Sequence, residues 1–275
     1  MNNQTQTPTL PKIACLTITH NRPHLLPNLI ESFLRQDYPA MNRELLILDD
    51  LGQYPTEPSG DGWQVISVKR RFETLSAKRN ALAAMTGNDV DALAWWDDDD
   101  TFLPWCLLSH AWALKRSPVS HPGLVLDGSF KVHETGQRMY QATQCIDREL
   151  FFHVGGYPRG NSGVDQHLIT RLRKIGSLND FADPTEQFPP WFIYGWSDTN
   201  SPHLSTLDKP TGYDGERLTL EAEMGRKNQV SEIVPKWRRN WSVEVRKSLG
   251  IPVDLRTVGL PEWWSLNKPE LEKVT

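Results

Sequence analysis

An α/β fold is predicted, with a mixed, mostly parallel sheet flanked by helices. Three observations carry this. Short apolar runs recur at residues 12–19, 44–50, 63–68 and 92–96. Stretches with helical spacing separate them at about 21–33 and 74–85. Polar groups collect just beyond the ends of the runs. Runs rich in Val, Ile and Leu that barely alternate fit strands buried on both faces. Helices between such strands imply parallel neighbours with helical layers on the sheet.

Each element has a local reason. K-I-A-C-L-T-I-T at 12–19 is an apolar strand, and Cys15 within it reads as a small buried hydrophobe. Asn21 then suits a helix N-cap, with Pro23 in the first turn and Leu25, Leu26, Leu29, Ile30 and Phe33 on one face. L-L-I-L leads into Asp49-Asp50, and 52–62 is rich in turn residues. Residues 74–85 read as a helix with Gly87 as its C-cap. The run 92–96 leads straight into Asp97-Asp98-Asp99-Asp100. Beyond this, 124–132 and 138–145 suggest a hairpin around Glu134-Thr135-Gly136, 164–175 a helix, and 191–196 an aromatic strand.

Bulk properties narrow the class. The chain has 275 residues, enough for one large domain with a small extension. A formal charge of -4 does not itself suggest a nucleic-acid or membrane partner. Three scattered cysteines, Cys15, Cys106 and Cys145, imply no disulfide framework, so a reducing, cytoplasmic setting is expected. The first eleven residues lack a basic start followed by an apolar stretch, and no run is long enough for a membrane helix.

The four aspartates carry the first chemical argument. Adjacent carboxylates repel one another and favour protonation unless something positive sits among them. A solvated turn could tolerate them. A hard divalent cation would use them, since Mg²⁺ or Mn²⁺ takes one or two carboxylates plus phosphate oxygens. A calcium EF-hand fits poorly, because the sixth and twelfth positions from Asp97 are Phe102 and Leu108 rather than Gly and Glu. In open α/β sheets ligands bind beyond the carboxyl ends of strands, where Thr19-His20-Asn21-Arg22, Asp49-Asp50 and the four aspartates all fall.

Seven segments in order resemble family 2 glycosyltransferases of the GT-A fold. They are I-T-H-N-R at 18–22, S-F-L-R-Q-D-Y-P at 32–39, L-L-I-L-D-D at 45–50, A-K-R-N-A at 77–81, W-W-D-D-D-D at 95–100, H-V-G-G-Y at 153–157 and V-D-Q-H-L-I-T-R at 164–171. The resemblance implies a hexosyltransferase-like enzyme using a nucleotide-sugar, with a UDP-sugar as default, and Mn²⁺ or Mg²⁺. It implies that Asp97 and Asp99 form the D-x-D pair, with Asp99 the direct metal ligand and His203 a further one. Thr19, His20, Asn21, Asp50, Arg79, Asp97 and Asp98 would line the nucleotide site, with Asp50 reading the base, and Asp165 would be the catalytic base of an inverting transfer. A helix-opening carboxylate is also what a helix dipole favours, so position alone leaves Asp165 open. Val164 stands where the family has Glu, His20 where it has Tyr, and no Q-x-x-R-W follows, against a processive synthase. The implied layout is a tail at 1–11, a GT-A unit at 12–211 (a nucleotide half at 12–100, an acceptor half at 101–211) and a C-terminal helical extension at 212–275.

Other classes stay in view. Lys236-Trp237-Arg238-Arg239-Asn240-Trp241 interleaves charge with aromatics in a basic stretch. It could bind phosphates or stack bases, which would suit a DNA-modifying enzyme of the bacteriophage type acting on hydroxymethylated pyrimidines. A solvated helix with its tryptophans packed beneath accounts for it as well. The acceptor would otherwise be a carbohydrate or another hydroxyl compound. A catalytically inactive GT-A binding module is a second class, and a nucleotidyltransferase a third, although no glycine-rich phosphate loop follows Thr19. Trp95, Trp96 and Trp191 read as core, and Trp196 as the tryptophan nearest an acceptor.

Overall fold

The computed structural model describes residues 10–127, 132–135, 141–161, 163–178 and 180–194. His203, Trp196, the expected extension at 212–275 and its basic segment lie outside these residues.

The chain opens with β1 (Ile13–Thr19), α1 (Leu26–Leu34), β2 (Arg43–Asp49), a two-residue β3 (Ser59–Gly60), β4 (Trp63–Ser67), α2 (Leu75–Ala84) and β5 (Ala92–Trp95). Then follow β6 (Thr101–Phe102), α3 (Cys106–Leu114), β7 (Val119–Ser120), β8 (Leu124–Asp127), β9 (Val132–Glu134), β10 (Cys145–Asp147), α4 (Arg148–His153), α5 (Val164–Lys174) and β11 (Phe192–Tyr194). The main sheet runs β3-β4-β2-β1-β5-β10-β7, and a second sheet runs β6-β11-β8-β9. Strands β4, β2, β1 and β5 are mutually parallel, while β3, β10 and β7 pair antiparallel. The sheet is therefore mixed and mostly parallel about its centre, as the alternation of elements predicts.

Period-two alternation sorts the core onto two faces. Ile13, Cys15, Ala94 and Trp96 face α1 and α3, joined by Leu29, Phe33 and Leu107. Ala14, Leu16, Leu93 and Trp95 face α2, α4 and α5, joined by Leu82, Phe151, Leu168 and Leu172. Side chains of this kind each contribute about 1.5–3 kcal/mol when fully buried. Trp95, Trp96 and Trp191 are among the largest fully buried side chains, so they belong to the core. All three cysteines are free and buried.

Four boundaries differ from the sequence expectation. Asn21 does not cap α1, which begins at Leu26 after Leu25 with no side-chain cap. Asn21 instead adopts φ 54, a left-handed conformation that Asn tolerates better than most residues, and it pairs with Gln53. Gly87 does not end α2, which closes two residues earlier at Met85 in right-handed geometry. The hairpin turns earlier than expected: β8 pairs antiparallel with β9, Leu124 opposite Glu134 and Leu126 opposite Val132, so Glu134 belongs to a strand and not to the turn. Cys145 leaves that sheet to pair with Ala94 in the main one, because its apolar side chain completes the core there. Thr74, by contrast, caps α2 where the helix was expected to start, its hydroxyl accepting from the Ala77 amide at 3.1 Å.

The glycine loop after α4 is tied down from two sides. Asn80 donates to the Tyr157 carbonyl at 2.8 Å and accepts from the Tyr157 amide at 2.9 Å. Arg171 donates to the carbonyls of Gly155 and Gly156 at 3.1 and 3.3 Å. Gly156 has φ 61, and a Cβ there would lie 2.6 Å from the Asn80 amide oxygen. Gly156→Ala is therefore expected to cost about 1–3 kcal/mol, read as a lower midpoint in urea. An unchanged midpoint would mean that the loop is not locked in this way.

Candidate active site

The strand register brings the expected groups to one rim. Thr19 at the end of β1 lies opposite Asp49 at the end of β2, and Leu16 opposite Trp95 near the end of β5. The chain then crosses from the main sheet to β6 of the second, and the four aspartates form that crossing. Trp96 and Phe102, which flank the turn, stack with centroids 3.9 Å apart and planes within 4°.

The aspartates have different surroundings. Asp98 points inward, accepting from the Thr19 hydroxyl at 2.7 Å and from the Arg22 guanidinium at 2.7 Å. Both of its oxygens are thus engaged by buried partners, which is the environment of a positioning group. Arg22 also donates to one oxygen of Asp99 at 2.6 Å. Burial would lower the Arg22 pKa, but Asp98 and Asp99 outweigh it and raise it. Asp97 is the more exposed member, and Arg79 approaches it at 3.6 Å. Two guanidiniums thus offset part of the charge of four adjacent carboxylates.

A second polar knot lies beside this turn. Asp49 is buried and accepts from Leu51, Gln53 and Ser67, so it holds the loop after β2. Asp50 accepts from His20 Nδ1 and from Lys78, both at 2.7 Å. Burial favours the protonated Asp50, but the hydrogen bond and charge of Lys78, then those of His20, hold the carboxyl below its usual range. Burial in turn lowers the Lys78 ammonium, a shift that Asp50 partly offsets.

Helix α5 supplies the far wall. Its first turn carries Asp165, preceded by Gly163 at φ 63. The loop before it is fastened to the start of α2. Gly160 donates to the Ser76 hydroxyl at 2.9 Å, and Asn161 accepts from the Leu75 amide at 2.8 Å. Asp165, Asp97, Asp100 and Arg79 consequently share one cleft of about 210 Å³, whose lining also includes Phe192 and Tyr194. Arg79 is 6% exposed, lies 5.6 Å from the Tyr157 ring centroid, and has an Nε without a hydrogen-bond partner among the described residues.

Of the expected residues, Asp97, Arg79 and Asp165 meet in this cleft. Thr19, Asp98 and Asp99 meet around Arg22, His20 meets Asp50, and Asn21 meets Gln53. Sequence reading placed Arg22 and Asp100 among the polar groups at the rim without giving either a role of its own, and it left out Lys78. Arg22 and Lys78 adjoin expected residues in I-T-H-N-R and A-K-R-N-A, but only the fold reveals which carboxylates they meet.

The donor set suits one kind of cation. Among the described residues no three His, Cys, Asp or Glu side chains are grouped to hold a metal. Carboxylates such as Asp97 and Asp99 instead suit a hard ion that completes its shell with water and phosphate oxygens. No helix among the described residues is long and apolar enough to cross a membrane.

A mostly parallel sheet with an acidic turn at its rim is the layout of a GT-A fold. The chain belongs to glycosyl transferase family 2, whose model matches residues 15–164. Solved structures with the same fold include S. aureus TarS 1-349 in complex with UDP-GlcNAc, at 14% identity and TM-score 0.54, covering 86% of this chain and 73% of that one. Another is mannosyltransferase PcManGT from Pyrobaculum calidifontis in complex with GDP-Man and Mn²⁺, at 14% identity and TM-score 0.53, covering 90% and 78%. A further TarS 1-349 structure aligns over 66% of this chain and only 60% of its own length, at TM-score 0.50. At such identities the likeness shows the fold. A comparison with curated protein sequences gives no match.

Proposed function

We propose that this protein transfers a sugar from a nucleotide-sugar, with a UDP-sugar as default, to an acceptor hydroxyl, with inversion. The observation that carries the reading is the convergence of Arg79, Asp97 and Asp165 from separate elements on one cleft. Family membership supports glycosyl transfer, and the neighbours solved with UDP-GlcNAc or with GDP-Man and Mn²⁺ support a nucleotide-sugar donor and a divalent ion. The unit carrying this activity would be 12–211.

Asp99, together with Asp97, would hold Mn²⁺ or Mg²⁺, with His203 as a further ligand. Such an ion, when bound, stabilises the negative charge that collects on a departing diphosphate. Arg79 would add a second positive group on the same side of the cleft, and Arg22 would keep the acidic turn in shape. Asp165 would take the acceptor hydroxyl's proton as the oxygen attacks. A single displacement with the base opposite the leaving group gives inversion.

Thermal denaturation with nucleoside diphosphates tests this reading. A ligand at 100 times its Kd stabilises the folded state by about 2.7 kcal/mol. UDP with Mn²⁺ is therefore expected to raise Tm by several degrees, with a smaller rise when EDTA is added. No shift with any nucleoside diphosphate, with or without the ion, would reject the proposal.

A further inference from the structure

Arg22 spans two neighbouring members of the acidic turn. Its side chain is buried, with Nη1 donating to Asp98 Oδ1 at 2.7 Å and Nη2 to Asp99 Oδ2 at 2.6 Å. The Thr19 hydroxyl takes the other Asp98 oxygen, Oδ2, at 2.7 Å. Asp98 therefore gives both oxygens to protein donors, and Asp99 gives one. Asp97 is held more loosely. Arg79 stands 3.6 Å from its Oδ1, beyond ordinary hydrogen-bond length.

This division bears on which cation the turn can hold. Adjacent carboxylates left to themselves would suit Ca²⁺, which takes about six to eight oxygens and often grips both oxygens of one carboxylate. Mg²⁺ and Mn²⁺ prefer an octahedral shell and share it among water, phosphate and one or two carboxylates. A carboxylate whose one oxygen is hydrogen-bonded to a guanidinium is turned to ligate through the other. Partners behind a ligating carboxylate fix its orientation, and losing them typically changes metal affinity by about 10–100-fold. A guanidinium suits this task because its planar fork can engage two carboxylates at once, whereas an ammonium is a point charge.

We propose that Arg22 is the positioning residue that sets the cation selectivity of the acidic turn, by withholding one oxygen of Asp99 and, together with Thr19, both oxygens of Asp98. The oxygens that remain favour a small octahedral ion over Ca²⁺. This inference rests on the proposed function, in which Asp97 and Asp99 hold the ion, and adds what excludes the larger cation. A residue that only braced the turn would affect both ions alike.

Titration of the full chain with Mn²⁺, without and with UDP, tests it. The electron paramagnetic resonance signal of free Mn²⁺ gives the affinity, and Ca²⁺ added as competitor gives the ratio. The wild type is expected to hold Mn²⁺ at least about tenfold more tightly than Ca²⁺. Arg22→Gln and Arg22→Lys are each expected to narrow that ratio by about tenfold or more. Absolute affinities will also move when a charge is lost, so the ratio is the readout. Lysine keeps the charge and loses the fork, so narrowing in both variants assigns the effect to the withheld oxygens. A wild-type ratio in Arg22→Lys, or in both variants, would overturn the inference. Should neither variant fold, infrared difference spectra of the wild type with Mn²⁺ decide, because one-oxygen and two-oxygen ligation give different carboxylate stretches. A one-oxygen signature supports the inference, and a two-oxygen signature overturns it, as does Ca²⁺ binding as tight as Mn²⁺. If the wild type holds neither ion, with or without UDP, the metal dependence in the proposed function falls too. If it prefers Mn²⁺ and the ratio ignores Arg22, only the role of Arg22 falls.

Discussion

Asp165→Asn is expected to lower transfer by about two to four orders of magnitude, the usual worth of a positioned proton acceptor. Affinity for UDP should change by less than about threefold, because a carboxamide keeps the size of the side chain but does not readily take a proton. Asp165 stands in the first turn of α5 and lines the cleft shared with Arg79 and Asp97. Asn remains a tolerated residue near a helix start, so the midpoint of unfolding should hardly move. The assay is radiolabelled sugar transfer alongside UDP titration. Turnover within tenfold of wild type would remove Asp165 from the chemistry.

Asp99→Ala should act on binding. Tm shifts produced by UDP with Mn²⁺ are expected to fall to those produced by UDP alone, and transfer should drop by at least about 100-fold. The fold should survive, because Arg22 keeps its hydrogen bond to Asp98. Asp98→Ala provides the contrast in the same experiment. Asp98 is 3% exposed and engages both Thr19 and Arg22, so its loss strands a buried guanidinium. Removing one partner of a buried pair commonly costs about 3–5 kcal/mol, seen as a lower Tm without ligand. If Asp99→Ala instead kept the full Mn²⁺-dependent shift, the metal would have to bind elsewhere.

Much of the stretch 12–100 was legible in the sequence because its signals are local. Continuous apolar runs marked β1, β2, β4 and β5, and helical spacing marked α2. Elements made by distant partners were harder to read. Strand β10 has three residues and is defined by pairing with β5 and β7, which no nearby pattern announces. Helix α3 is buried almost all round, so it lacks the polar face that reveals a surface helix. The site followed the same division. Motif letters pointed to Asp97, Asp99, Arg79 and Asp165, and the structure adds which carboxylate faces in and which faces the cleft. The inward turn of Asp98 depends on Arg22, 76 positions earlier, and that pairing is tertiary.

The stacked rings of Trp96 and Phe102 fasten both ends of the acidic turn. The repulsion among its carboxylates is therefore met during folding, by aromatic packing and two arginines, before any ligand arrives. An incoming ion would encounter oxygens whose backbone is already ordered, and the conformational entropy lost on capture would be small. Calorimetry should accordingly record little change in heat capacity when the ion alone binds, in contrast to a turn that orders around its metal.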